Sequence, residues 1–104
     1  MSRIRLPPRR ACENFDLEVA GQRYTATIGR HADGTIGEIF LQSRKPGSQS
    51  DANARDAAVA ASLALQFGCP LKTLRHALLR DSRGQPSTPL GAAIDELQAM
   101  EREP

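Results

Sequence analysis

Apolar and polar positions alternate in three early stretches of the chain. Phe15, Leu17 and Val19 interleave with Asp16 and Glu18. A period of two puts one set on each face of a half-buried strand over 13–19. Ala20, Gly21 and Gln22 supply the turn. Tyr24, Ala26 and Ile28 then oppose Thr25 and Thr27 over 23–29. Asp33-Gly34 is a hairpin turn signal. In 36–42, Ile39 and Leu41 face one way and Phe40 the other. Three strands joined by short turns predict an antiparallel meander with one face covered.

The period changes after Gln49. Ser48 or Ser50 can accept a free first-turn N–H, and Asp51 suits the positive end of a helix. Gly68 can close the helix in a left-handed conformation, and Pro70 bars simple continuation. The expected helix, 51–67, is roughly 25 Å long at 1.5 Å per residue. Its strongly polar positions Asp51, Arg55, Ser62 and Gln66 share one narrow stripe, with Asn53 and Asp56 outside it. Most of the remaining surface is Ala, Val, Leu and Phe. That is wider than the roughly 100° stripe of a surface helix, so cover on more than one side is expected. One side can take the sheet, and the other calls for a second helix or a partner subunit. The segment is too short and interrupted to span a membrane, which needs about 20 apolar residues.

Two shorter helices follow. Leu71, Leu74 and Leu78 give a stripe over 71–79, with Arg75, His76 and Arg80 elsewhere on it. Residues 81–87 read as a loop. Thr88 and Pro89 suit a cap and first helical position. Leu90, Ala93, Ile94, Leu97 and Met100 keep helical spacing to about Glu101. This helix can fold onto its own domain or onto a partner. At the other end, Met1–Arg10 has two prolines and four arginines, which predicts an extended arm.

A chain of 104 residues fits one domain, and its 39% hydrophobic and 4% aromatic content leaves a light core of Ala, Leu, Ile and Val. A core that small favours oligomerisation. The net charge of +2 demands no nucleic-acid partner. Cys12 and Cys69 have no metal-ligand spacing, and with no signal peptide evident they suit thiols in a reducing cytoplasm.

No reaction is legible. Two distant Cys and two distant His, His31 and His76, match no usual metal set. There is no nucleophile elbow, dinucleotide fingerprint or P-loop. No catalytic residue, metal or cofactor is therefore expected. Arg9 and Arg10 can belong to a solvated tail or grip an acidic surface. Arg44, Lys45, Gly47 and Ser48 can form a plain connector or hold an anion beside a helix N-terminus. The segment 51–80 also has a superficial likeness to a helix-turn-helix, in which Arg75, His76 and Arg80 would face DNA. The length and wide apolar surface of its first helix, and the strands before it, weigh against that.

Several pieces in order carry a family likeness: Leu6, Pro7, Arg9 and Arg10; Tyr24, Thr27 and Gly29; Gly37, Glu38, Ile39 and Phe40; Lys45, Gly47 and Ser48; and 64–71, ALQFGCPL. Over 3–79 the chain resembles the TSCPD domain family, the accessory domain near the C-terminus of cobalamin-dependent ribonucleotide reductases. The tetrapeptide that names the family is absent. So are the large barrel that carries cobalamin, substrate and the radical-forming cysteine, and the Cys-rich tail. The resemblance implies a stand-alone, non-catalytic accessory module tied to deoxynucleotide synthesis through a protein partner, such as a reductase, or through nucleotide binding.

The expectation is thus an α+β fold, a three-stranded antiparallel meander packed on a long Ala-rich helix, followed by two shorter helices. Residues 1–12 form the arm, 13–80 the TSCPD-like domain, and 81–104 the loop and last helix. A homodimer or a protein partner is expected, with no membrane and a cytoplasmic setting. A small DNA-binding protein is the alternative.

Overall fold

A computed structural model describes residues 2–102. The order is β1 (Cys12–Val19), β2 (Gln22–Arg30), β3 (Ile36–Ser43), α1 (Gln49–Gln66), α2 (Leu71–Ala77) and α3 (Pro89–Arg102). The strands form one antiparallel sheet in the order β1-β2-β3. This is the expected α+β arrangement, and α1 is 18 residues long.

Registers follow the alternation. Phe15, Ala26 and Leu41 lie side by side, as do Leu17, Tyr24 and Ser43, on the core face. Asn14, Thr27 and Phe40 share the other face. Ala20 and Gly21, both at positive φ, make the two-residue turn between β1 and β2, matching the twist of the strands they join. The second hairpin closes through His31, whose N–H donates to Thr35 O and whose carbonyl accepts from Gly34 N–H.

Helix ends fall where the capping residues put them. The Ser48 hydroxyl accepts from Asp51 N–H at 3.1 Å. At the other end, Cys69 N–H donates to Ala64 O and Gly68 N–H to Leu65 O, a Schellman closure around a glycine at φ +99°. The Thr88 hydroxyl caps α3 by accepting from Gly91 N–H.

The core joins Tyr24, Ala26, Ile28, Ile39 and Leu41 of the sheet to Ala54, Ala58 and Ala61 of α1. α3 adds Leu90, Ala93, Ile94 and Leu97, all buried. It therefore folds onto its own chain. Leu71, Leu74 and Leu78 pack at the margin.

The polar stripe of α1 has an unusual place. Asp51, Ser62 and Gln66 are buried, and all three bond to the backbone of β3. Ile39 N–H donates to Ser62 Oγ at 2.9 Å, and the same hydroxyl donates to Ile39 O at 3.1 Å. Gln66 Nε2 donates to Gly37 O, and Ser43 N–H donates to Asp51 Oδ1, each at 2.9 Å. β3 is an edge strand, so alternate backbone groups lack a strand partner. Four helical residues rise about 6 Å and two strand residues nearly 7 Å. Gln66 and Ser62 therefore meet Gly37 and Ile39 in step. Ala58, 1% exposed, keeps the helix close to the sheet.

The second apolar side has no cover among the described residues. Val59, Leu63 and Phe67 remain 54%, 39% and 41% exposed. Among the described residues no second helix covers this side, one of the two kinds of cover the sequence pattern allows.

Candidate functional site

The arm is docked. Its prolines favour an extended path, which suits backbone pairing to another element. Ile4 N–H donates to Gln66 O at 2.8 Å, and Arg3 Nε donates to Gln66 Oε1 at 2.6 Å. Leu6 sits against Gly29 and Gly37, where added Cβ atoms would lie 3.2 and 2.7 Å from its methyls. Glycine at both strand positions makes the socket for that leucine. Arg10 pairs with Glu38 through both guanidinium and carboxylate forks, and its Nη1 donates to Pro7 O. Arg10 thus ties the arm to β3, while Arg9 is exposed with no ion pair among the described residues.

A cleft of about 990 Å³ opens beside the docked arm. Ile4 and Arg5 form one wall, the His31–Ile36 hairpin a second, the α1–α2 junction a third, and the end of α3 closes it. Cys69 and Lys72 come from the junction, and Glu101 from α3. Asp33 is held by the Thr35 hydroxyl and N–H, which keep its carboxyl below the usual range. Glu101 accepts from Arg30 Nη1 at 3.1 Å.

The turn into α1 puts Arg44, Lys45, Gly47 and Ser48 together. Arg44 pairs with Asp16 at 3.2 Å, both more than half exposed. Lys45 O accepts from the Ser48 hydroxyl, and Gly47 takes φ +81°. The place for an anion at this helix end holds the chain's own Asp51 carboxylate. Ser43 N–H above all, then Arg55 and Gly47 N–H, hold that carboxyl below its ordinary range, against the opposing effect of burial.

Of the residues in the helix-turn-helix reading, His76 is exposed, while both arginines are drawn to an acidic residue of α3. Arg75 Nε meets Asp95 Oδ1 at 3.1 Å, and Arg80 Nη2 meets it at 2.6 Å. Arg80, first, and Arg75 hold the Asp95 carboxyl low. The pairing joins α2 and its following segment to α3 and takes both arginines away from a DNA backbone. DNA recognition by 51–80 has no support in this geometry. Among the described residues, no cluster of three metal-ligating side chains occurs, and no helix is long and apolar enough to cross a membrane. Cys12 is exposed, Cys69 half-buried, and both are free thiols.

Sequence reasoning missed the cleft because Arg5, His31 and the Cys69–Lys72 stretch are far apart in the chain. The available signal was a pair of glycines within strands, Gly29 and Gly37, which marks close approach by another segment.

These features sit in a small α+β module whose relatives are much larger proteins. The chain is 39% identical over 70 residues to a vitamin B12-dependent ribonucleotide reductase of Agrobacterium fabrum, a match covering 67% of the chain. It is 35% identical over 69 residues to the protein of that name from Bradyrhizobium diazoefficiens, and 32% over 72 to that from Rhodopirellula baltica. The chain spans only 6–7% of the length of these relatives. It is therefore a ribonucleotide-reductase-related module. The match is consistent with a TSCPD-like domain, the family whose pattern the sequence resembles. No family model matches the chain, and no solved structure matches it.

Proposed function

We propose that the chain is a non-catalytic accessory module that docks on a B12-dependent ribonucleotide reductase. The observation that carries this reading is the exposed stripe Val59, Leu63 and Phe67 on α1. It lies in a run, 57–67, that contains no charged residue. An uncharged apolar row of this kind fits a protein groove better than water. The relatives carry the matching segment inside chains many times longer, which gives the module a protein neighbour there. Arg9 and Lys45, exposed and with no ion pair among the described residues, are available to acidic groups of a partner. Arg44 is less available because Asp16 competes for it. Arg10, Gly47 and Ser48 serve the chain's own structure, as anchor, turn and cap.

The module thereby acts on deoxynucleotide synthesis by binding the enzyme that performs it. The test is titration of the purified chain into the B12-dependent reductase of its own host, read by calorimetry. A micromolar complex is expected, weakened at least tenfold in Leu63→Ser/Phe67→Ser. No heat of binding at about 100 µM defeats the proposal, as does a complex indifferent to the double variant. Self-association that buries the stripe and excludes the reductase assigns that surface to a second copy instead.

A further inference from the structure

We infer that the cleft beside the arm is a binding site for a small organic anion with an apolar body. This goes beyond the docking proposal and uses a different surface, since Val59, Leu63 and Phe67 do not line the cleft. At about 990 Å³, its open volume lies at the upper end of the range of small-molecule sites, roughly 300–1,000 Å³. Four segments distant in sequence build it.

The charges decide the class of ligand. Arg5 and Lys72 line the cleft and have no ion-pair partner among the described residues. The two carboxylates on the same lining are already engaged. Asp33 accepts from Thr35 N–H at 3.0 Å and from its hydroxyl at 2.6 Å, while Glu101 faces Arg30. Arg30 balances Glu101, while Asp33 keeps its charge beside the neutral Thr35, so two unpaired cations face one unbalanced carboxylate and the excess on the lining is positive. Between the cations, Ile4, Ile36, Leu65 and Leu71 offer apolar surface. His31 adds a ring whose Nε2 lies against Gly37, in room that a Cβ would fill at 2.5 Å. A phosphate or carboxylate can meet Arg5 and Lys72 while a flat or aliphatic body lies on the apolar wall.

The arm is part of the site. Ile4 and Arg5 reach the cleft because Ile4 N–H holds Gln66 O and Leu6 fills the glycine socket. A ligand that binds the docked arm stabilises that docking by mass action.

Adenosine monophosphate, adenosine, inorganic phosphate and benzoate serve as probes, titrated into the full chain by calorimetry and two-dimensional NMR. Adenosine monophosphate or benzoate is expected to bind with a millimolar or tighter constant. Their relative affinity separates phosphate from carboxylate. Adenosine and inorganic phosphate alone bind at least about tenfold more weakly, because each lacks one half of the recognition. Arg5→Ala/Lys72→Ala weakens the better probe by about tenfold or more with an unchanged melting midpoint, as both side chains are exposed. Leu6→Ala, which loosens the arm, weakens it too and shifts the amide signals of Gly29 and Gly37. Absence of binding by both anionic probes at about 10 mM overturns the inference. So does binding unchanged by the double substitution, or chemical-shift changes away from the cleft.

Discussion

The two sides of α1 reverse the ordinary rule for a helix on a sheet. Its inward side presents Asp51, Ser62 and Gln66 to β3, separated by Ala54, Ala58 and Ala61. Its outward side shows Val59, Leu63 and Phe67 to water. Usually the apolar stripe goes in and the polar one out. The exception follows from what the helix touches. It lies along the open edge of a sheet, where β3 presents carbonyl and N–H groups. A leucine opposite Ile39 would bury two backbone dipoles without partners, whereas serine satisfies both. Polarity on this helix therefore reports the chemistry of its neighbour, not exposure.

The comparison breaks most sharply at Ala58. Ala58→Leu inserts three carbons at a buried position of α1 within the core it shares with the sheet. A loss of about 3 kcal/mol is expected, lowering the thermal midpoint by about 12 °C or more. A near-native midpoint would mean that the helix can move off the edge without cost.

Ser62→Ala follows. The change leaves Ile39 N–H and C=O without the partner each has now. An expected loss of about 2 kcal/mol reflects two buried groups deprived of hydrogen bonds. Faster hydrogen exchange at the Ile39 amide distinguishes this mechanism from a general loosening. An unaffected amide would place the bond of Ile39 elsewhere.

The sheet was readable because its alternation has one cause, a single buried face. The same reasoning located Gly68 and Pro70 as the stop of α1, since few residues close a helix that way. It gave less at Ser62 and Gln66. A polar residue beside small ones has the same appearance whether it meets water or an unpaired strand, and the choice depends on which edge the helix lies along. Arg10 is similar: its charge was visible, but its partner Glu38 lies 28 residues away. Arg75 and Arg80 looked available to DNA until α3 brought Asp95 between them.

Acid sharpens the comparison at the start of the helix. The folded state holds Asp51 below its ordinary pKa, chiefly through Ser43 N–H. Its charged form is therefore favoured more in the native state than in the unfolded one. The resulting stability is fully present above about pH 4 and falls away as pH drops through the lowered folded value. Asp95 and Asp33 act with the same sign. Asp51→Asn should lower stability at neutral pH by less than Ser62→Ala, since the amide oxygen can still accept from Ser43. It should also flatten the acid limb of the stability curve measured by urea unfolding. An identical acid limb in wild type and variant would remove Asp51 from the account.

The smallest change in stability is expected on the outward side, from the same Leu63→Ser/Phe67→Ser protein that weakens docking. Leu63 and Phe67 are each about two-fifths exposed, so replacing both in the isolated chain removes limited internal contact. Each substitution should alter unfolding free energy by no more than about 1 kcal/mol. The contrast with Ala58 is then several-fold, although alanine is the smaller side chain and the change there adds apolar surface. Urea unfolding at two protein concentrations makes the result decisive. A concentration-independent loss above about 2 kcal/mol would show that these side chains already pack within one chain. A loss that appears only at the higher concentration would show that copies of the chain bury the stripe between them. Near-native stability at both concentrations leaves the outward side free for a different protein, the outcome that the docking proposal expects.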